Sequence, residues 1–382
     1  MRSPETPPSG SLAPLAEARR IATICAVCNY CNGFCEAMRA IERRGDHLSR
    51  RASAASPRED RGRDGRGKTV AAPAFGDGDI AYIAHLCHNC GNCLTSCQYA
   101  PPHVFAVDAP KALAEVRSLS WKERPWLALA IFVAVVVLTI VLVPWGTLTA
   151  RHSGEGAFYA VIPWATMTAA ALAPFLFGTA LVGVRVARFW GALSRPDDVR
   201  RGGSSAWRAI PLAIRDAASL RNLEGGGIPC ERSIARRFLH HALAYGFLLC
   251  FAATCTATLY HHGFGWLAPY PLSSLPVILG TVGGIGMVIG AAGLAVARSG
   301  GGTAFDNTGD FVLLAQLFAV AASGLALLAL RDTPAMGLLL AVHLGTVLGF
   351  FATLPFGRLA HAPYRVAALL KAAMERKAGG AR

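Results

Sequence analysis

Cys25, Cys28, Cys31 and Cys35 form a C-x2-C-x2-C-x3-C run, and Cys87, Cys90, Cys93 and Cys97 repeat that spacing without change. This is the bacterial ferredoxin pattern for [4Fe–4S] clusters. A short turn places three thiolates around one corner of a cubane, and the fourth must come from elsewhere. In two-cluster ferredoxins the fourth Cys of each run ligates the other cluster. By that logic Cys25, Cys28 and Cys31 join Cys97, and Cys87, Cys90 and Cys93 join Cys35. Zinc is the competing metal, but its four ligands normally come as two separated pairs. Two features depart from the ferredoxin run. Glu36 and Gln98 stand where it has Pro, and the stretch from Cys35 to Cys87 is longer than in a compact ferredoxin.

Histidines are the second set with chemistry to offer. His240 and His241 open one long apolar run, and His261 and His262 close it. His343 lies within another such run, with His361 just beyond its end. Intramembrane His is a functional candidate by default, and haem b takes two axial imidazoles from facing helices. At about 100° per residue, His240 and His262 fall within about 40° of one face, and His343 and His361 also share a face. Antiparallel helices then bring His240 or His241 to His361, and His262 or His261 to His343, for one haem b or two. The heights fit less well: His262 and His343 differ by about 14 Å at about 1.5 Å per residue. His85, His88 and His103 stand near the second Cys run and are expected to tune it or pack against it. Cys230, Cys250 and Cys255 are expected to be inert thiols.

These residues must be positioned by a chain that is 53% apolar and only 16% charged. A soluble protein usually carries about 25% charged residues, so much of this surface faces something other than water. Six apolar runs, at about 126–148, 161–184, 238–260, 274–297, 311–330 and 335–356, hold no Lys, Asp or Glu. Each holds the roughly 20 residues that a helix needs to cross the hydrocarbon core. Six spans leave only Arg151 and Arg331, of 37 Lys and Arg residues, on one side. The positive-inside rule then places both termini in the cytoplasm. The net charge of +14 is a topology signal, and nucleic-acid binding is set aside. No apolar signal-peptide core follows the Pro- and Glu-rich start, so the Cys runs are expected in a reducing compartment, where clustered Cys points to metal.

The expected fold is mainly α, a six-helix transmembrane bundle with an N-terminal cytoplasmic ferredoxin-like segment carrying two [4Fe–4S] clusters. The expected divisions are a disordered tail at 1–20, a di-cluster domain at 21–125 and a membrane domain at 126–360. A cytoplasmic tail follows at 361–382. The di-cluster domain carries a flexible insertion at 51–74. The membrane domain includes a cytoplasmic loop at 190–237, helical around 205–223. The glycines between Gly280 and Gly290 are expected to let helices approach closely.

The runs CAVCNYCNGFC and CHNCGNCLTSCQYAPPHVFAVDAPKALAEVR resemble the tricarballylate/citrate utilisation protein B family. So do RRFLHHALAYGFLLCFAATCTATLYHH and LRDTPAMGLLLAVHLG. The similarity runs from about Ile21 to Ala373, the 51–74 insertion excepted, and a cobalamin-pathway flavohaem protein is similar in its C-terminal part. The resemblance implies an electron acceptor for a separate FAD-dependent dehydrogenase. Electrons then pass through the two clusters to haem b and on to the quinone pool of the bacterial inner membrane. It leaves the substrate site on another chain; no G-x-G-x-x-G follows an expected strand here. The aromatic stretch Phe264–Tyr270 would either border a quinone pocket or simply sit at an interface. The rival class is a membrane transporter, or a redox or zinc sensor with a Cys-rich cytoplasmic domain. A transporter should carry paired repeats and intramembrane carboxylates, and neither is evident in the sequence.

Overall fold

The computed structural model describes residues 13–55, 62–63, 69–70, 73–121, 123–193, 206–220, 231–299 and 308–379. In chain order it begins with α1 (Pro14–Cys28) and α2 (Glu36–Ala55), then an antiparallel ribbon of β1 (Gly62–Arg63) and β2 (Thr69–Val70). Next come α3 (Asp77–Leu86), α4 (Asn92–Thr95) and α5 (Ala109–Ser120), followed by α6 (Pro125–Leu142), α7 (Trp145–Thr149), α8 (Ala157–Val161) and α9 (Trp164–Leu193). The rest is α10 (Ala206–Ser219), α11 (Glu231–Phe264), α12 (Leu275–Ser299), α13 (Thr308–Leu330), α14 (Met336–Thr353) and α15 (His361–Gly379). The fold is mainly α. The chain forms two compact units. One comprises Met1–Lys122, Arg185–Ile234 and His361–Arg382, and the other Glu123–Val184 and Ala235–Ala360.

The first unit is organised around α3. Gly76 precedes it, and the Asp79 carboxylate accepts from the Gly76 N–H at 3.0 Å, which anchors the first turn. Ile80, Tyr82, Ile83, Ala84 and Leu86 are then fully buried, so this helix is the core and not one face of it. α5 starts at an N-cap, with Asp108 accepting from the Lys111 N–H at 3.0 Å and Pro110 in the first turn. α1 begins earlier than the expected tail at 1–20 allows. Pro14 suits the first turn of a helix, Glu17 favours its N-terminus, and Ala18, Ile21 and Ala22 bury one face. α2 likewise runs past the expected insertion boundary to Ala55; most of the segment 51–74 lies outside the described residues. The helix expected around 205–223 is α10. Gly225–Pro229 and Cys230 also lie outside the described residues.

The second unit holds helices long and apolar enough to cross a membrane. Six such helices occur among the described residues: Pro125–Leu142, Trp164–Leu193, Ile234–Phe264, Leu275–Ser299, Thr308–Leu330 and Met336–Thr353. Each matches one expected span, and the differences follow from proline and helix continuation. The first stops at Leu142, two residues before Pro144, and the sixth stops before Pro355. The second and third continue well past the apolar run, because polar residues such as Arg188 and Arg236 are good helix formers. The sixth, α14, is the centre: 61% of it is buried, against 6–39% of the other five.

Glycine explains the closest approaches. A Cβ on Gly283 would lie 2.7 Å from the Gly246 carbonyl oxygen, and one on Gly290 would lie 2.5 Å from the Leu243 nitrogen. The backbones of α11 and α12 therefore touch, as small residues permit in membrane helices. Gly345 and Gly349 do the same for α14 against Val136 and Phe132 of α6.

Candidate metal centre

Both Cys runs place a left-handed residue directly after their second Cys, at the end of a helix in the first run and at the start of one in the second. α1 ends at Cys28, and Asn29 takes φ 58° while its N–H returns to the Cys25 carbonyl at 2.8 Å. In the second run Gly91, at the same place after the second Cys, takes φ 83°. Asn and Gly are the residues that enter this left-handed region most readily, so each chain turns back on itself and wraps its thiols around a common space. The repeated spacing thus shares a left-handed position, with a second one at Asn89 in the later run.

Two cavities follow. Cys25, Cys28, Cys31 and Cys97 line the first, with Tyr30, Tyr99 and Val107. Cys35, Cys87 and Cys90 line the second, with Phe34 and Pro110. Cys93 borders both, but the thiols that act on it most strongly are Cys87, then Cys35 and Cys90, with Cys25 last. Burial, then Cys31, Cys97 and Cys28, push the Cys25 thiol up to about 12. Burial and then Cys97 and Cys28 push Cys31 up to about 11. Burial and Cys87 push Cys35 up to about 12, opposed by the N–H groups of Met38 and Ala37 at the start of α2, with Cys90 adding to the rise. Such thiols stay protonated by themselves, and binding a metal would have to displace their protons. Among the described residues no three His, Cys, Asp or Glu side chains are placed to hold a single metal ion; the thiols border cavities instead. At least four thiols border each cavity, which is the donor set that an iron–sulfur cluster takes.

Around the second cavity stands a shell that the spacing of the cysteines does not announce. Arg365 of α15 donates to the carbonyls of Leu86 (3.1 Å), Cys87 (3.3 Å) and His85 (3.4 Å), and also meets His88 Nε2. Arg117 of α5 donates to the same Cys87 carbonyl. Burial, then Arg117, bring the Arg365 guanidinium down to about 10, against the pull of Cys87, Cys35 and Cys90. His85 is boxed by Phe189, Tyr364 and Trp121 at ring separations of 4.7, 4.9 and 5.7 Å, and its Nε2 lies 2.7 Å from Ser120 Oγ. Burial, then Arg117, Arg365 and His361, lower its pKa to about 3, so the ring is neutral. His103 packs on Tyr99 and Phe105.

Glu36, the residue in the ferredoxin proline position, is buried and holds Arg43 (2.7 Å), Arg376 (2.8 Å) and Arg39 (3.1 Å). Burial raises its pKa, but Arg43, Arg376 and Arg39 outweigh that and hold the carboxyl below its ordinary range. Beside it, Arg44 of α2 bridges Asp79 of α3 and Glu375 of α15, with its guanidinium 4.0 Å from the Tyr82 ring centre. The C-terminal helix is therefore part of the Cys-bearing unit. Glu36 was the one visible signal, as a charge where the motif has Pro; Arg117, Arg365, Arg376 and Glu375 lie too far along the chain for spacing to find.

The histidines are more dispersed. His261 stacks on Trp164 at 4.6 Å and 3°, beside Tyr159, and His262 meets the same Trp164 edge-on. His343 Nδ1 lies 3.1 Å from Ser323 Oγ, and its ring sits against Gly324. The two sets of contacts share no residue. His241 stacks on Tyr245. His240 and His241 belong to the second unit and His361 to the first. Cys250 packs with its Sγ 3.9 Å from the Gly280 carbonyl oxygen, and Cys255 is exposed; both are free thiols.

Comparison with known proteins now bears on this architecture. The family model described as Citrate utilization protein B matches residues 120–382, and its Fer4-like domain matches residues 18–123. The chain belongs to the citrate utilization protein B family. Citrate utilization protein B of Escherichia coli is 36% identical over 394 residues, covering 96% of this chain and 94% of that one. No solved structure matches. In this family member the Fer4-like domain holds both Cys runs, which makes it an iron–sulfur type of domain. The family boundary near residue 120 falls just before the first apolar helix, whereas the compact first unit also takes in α10 and α15.

Proposed function

We propose that this protein is a membrane electron-transfer component of citrate or tricarballylate utilisation, reoxidising a partner FAD-dependent dehydrogenase and passing electrons toward the quinone pool. The observation that carries this is the pairing of the two Cys runs across two adjacent cavities. Cys25, Cys28, Cys31 and Cys97 would hold one [4Fe–4S] cluster, and Cys35, Cys87, Cys90 and Cys93 the other. When bound, such clusters supply one-electron chemistry with no bond made or broken. The protein supplies thiolates, excludes water from Cys87, and fixes the charges and N–H groups that act on the sulfurs. Substrate oxidation belongs to the partner. The basic loops and both termini are read as cytoplasmic, in a bacterial inner membrane.

Haem b is the proposed carrier within the membrane, with His240, His241, His261, His262, His343 and His361 as candidate ligands. Its fit is partial. His343 has the partner on Nδ1 that a metal-bound imidazole usually has, which leaves Nε2 for a metal. His261 and His262 pack on Trp164, so the second unit does not present them to His343 as an axial pair, and no step is routed through haem. His85, boxed by Trp121, Phe189 and Tyr364, lies two residues before Cys87 in the chain.

The test is an anaerobic absorption and EPR study of the full chain in detergent, before and after dithionite, with iron, acid-labile sulfide and haem assays. The reading expects about eight iron and eight sulfide per chain beyond haem iron, the content of two four-iron clusters, and a reduced cytochrome b band. Clusters without haem would confine the reading to electron entry. A colourless zinc protein after strictly anaerobic preparation would refute it and favour a sensor or transporter.

A further inference from the structure

We propose that Arg365, seconded by Arg117, makes the quartet Cys35, Cys87, Cys90 and Cys93 the higher-potential of the two, so that electrons enter at Cys25, Cys28, Cys31 and Cys97 and leave from the other. The inference rests on the two-cluster reading above and adds the direction of flow. With clusters bound, each transfer would oxidise the group on the first quartet by one electron and reduce that on the second by one. The reductant is the partner's reduced flavin, the final oxidant is a quinone, and no proton or bond changes hands between the quartets.

The argument is one of asymmetry. A cluster's potential rises with positive charge nearby and with hydrogen bonds to its sulfurs, because reduction adds negative charge. Arg365 reaches three successive carbonyls ending at Cys87, together with His88, and Arg117 reaches the Cys87 carbonyl as well. The Asn89 N–H points at Cys87 Sγ at 3.4 Å, and the first N–H groups of α2 point at Cys35. A helix N-terminus favours negative charge in the same sense. The groups acting on Cys25 and Cys31 are other thiols, and the rest of that cavity is largely apolar and aromatic.

Surroundings agree with the order. The rim of the first quartet carries Tyr30, 68% exposed, with Val27 also exposed, so a protein donor can approach it. The second quartet sits beside the buried aromatic box. Solvent access to the first quartet works against the charge argument by stabilising its reduced form. The test therefore reads two quantities, the order of the two midpoints in the parent and the change when Arg365 is altered, and a lower midpoint for the second quartet in the parent would overturn the proposal.

A plainer role for Arg365 is capping the carbonyls at the end of α3, and the variants separate the two. Arg365→Gln removes charge and fork, Arg365→Lys keeps the charge and loses the fork, and Arg117→Gln removes the second cation with less disturbance. The measurement is an EPR-monitored redox titration of the full chain in detergent, with Cys35→Ser identifying the signal of the second quartet. Arg365→Gln and Arg117→Gln are expected to lower the midpoint of that signal alone, by about tenfold or more in the reduced-to-oxidised ratio, or about 59 mV for one electron. Arg365→Lys is expected to stay near the parent. Equal shifts in both signals, no shift, a shift confined to the first quartet, or Arg365→Lys behaving like Arg365→Gln would overturn the proposal. If Arg365→Gln fails to assemble, Arg117→Gln and Arg365→Lys carry the same decision. A parent protein without iron would overturn the two-cluster reading instead.

Discussion

Replacing Glu36 by Gln should loosen the packing of α2 against the C-terminal helix, next to a cluster cysteine. Its carboxylate is 2% exposed and holds Arg43 at 2.7 Å and Arg376 at 2.8 Å, whose side chains are 26% and 25% exposed. A hydrogen bond to a charged group contributes about 1.5–3 kcal/mol. Arg39, 40% exposed, is screened and adds little. Gln keeps one acceptor oxygen but turns an amide toward the other guanidinium, so one strong bond is lost and the second weakened. The cost is about 2–4 kcal/mol, or about 30- to 1,000-fold in a local opening equilibrium. Hydrogen exchange of the full chain reads this directly, as faster exchange over residues 37–44 and 369–377 with the membrane helices unchanged. Glu36→Pro restores the residue that ferredoxins use and suits the first turn of α2, yet it lacks the carboxylate and should give a similar increase. Parent-like exchange in both variants would show that the Arg cluster does not hold α15, and the account of why this motif carries Glu would fail.

Three further outcomes are expected. Gly290→Leu should lower the thermal midpoint of the detergent-solubilised protein by several degrees, because its Cβ alone would lie 2.5 Å from the Leu243 nitrogen; Gly183→Ala, with nothing within 4 Å of the new carbon, should leave it unchanged. Ending the chain at Ala360 should sharply reduce bound iron per chain and expose residues 13–121 to protease, since Arg365, Glu375 and Arg376 all leave the first unit; full iron content would refute the part given to α15. Chelating the iron anaerobically should speed amide exchange around Asn29 and Gly91, whose turns face the cavities, well before it reaches the buried helix α3, and uniform exchange would argue against clusters that hold only those turns.

The parts of this architecture legible in the sequence depend on local repetition. Two Cys runs of identical spacing read as two related sites, and the Asn and Gly after each second Cys take the left-handed backbone that both runs use. The six spans were legible because lipid leaves the backbone few options, and among the ends that moved are those where Pro144 and Pro355 break the helix and those where Arg188 and Arg236 extend it. What spacing could not supply was the shell around the thiols. Arg365 and Arg376 reach residues near Cys87 and Cys35 from the far end of the chain, and no periodicity joins positions separated by most of its length.

The histidines show the same limit from the other direction. Helical arithmetic correctly puts His240 and His262 on one side of an ideal helix, but a shared side does not choose a neighbour. Gly246, Gly283 and Gly290 commit one face of α11 to α12, and that choice leaves His261 and His262 to stack on Trp164 at the start of α9. His343 is drawn toward α13 because Gly324 offers no side chain there and Ser323 offers a hydroxyl. Glycine placement thus decides which faces meet before any His can select a ligand. A change at Ser323 or Gly324 would reorient His343 without touching another candidate. Ser323→Ala should therefore alter the spectrum of any haem held by His343 and leave the iron–sulfur signals alone; an unchanged haem spectrum would remove His343 from the candidate set.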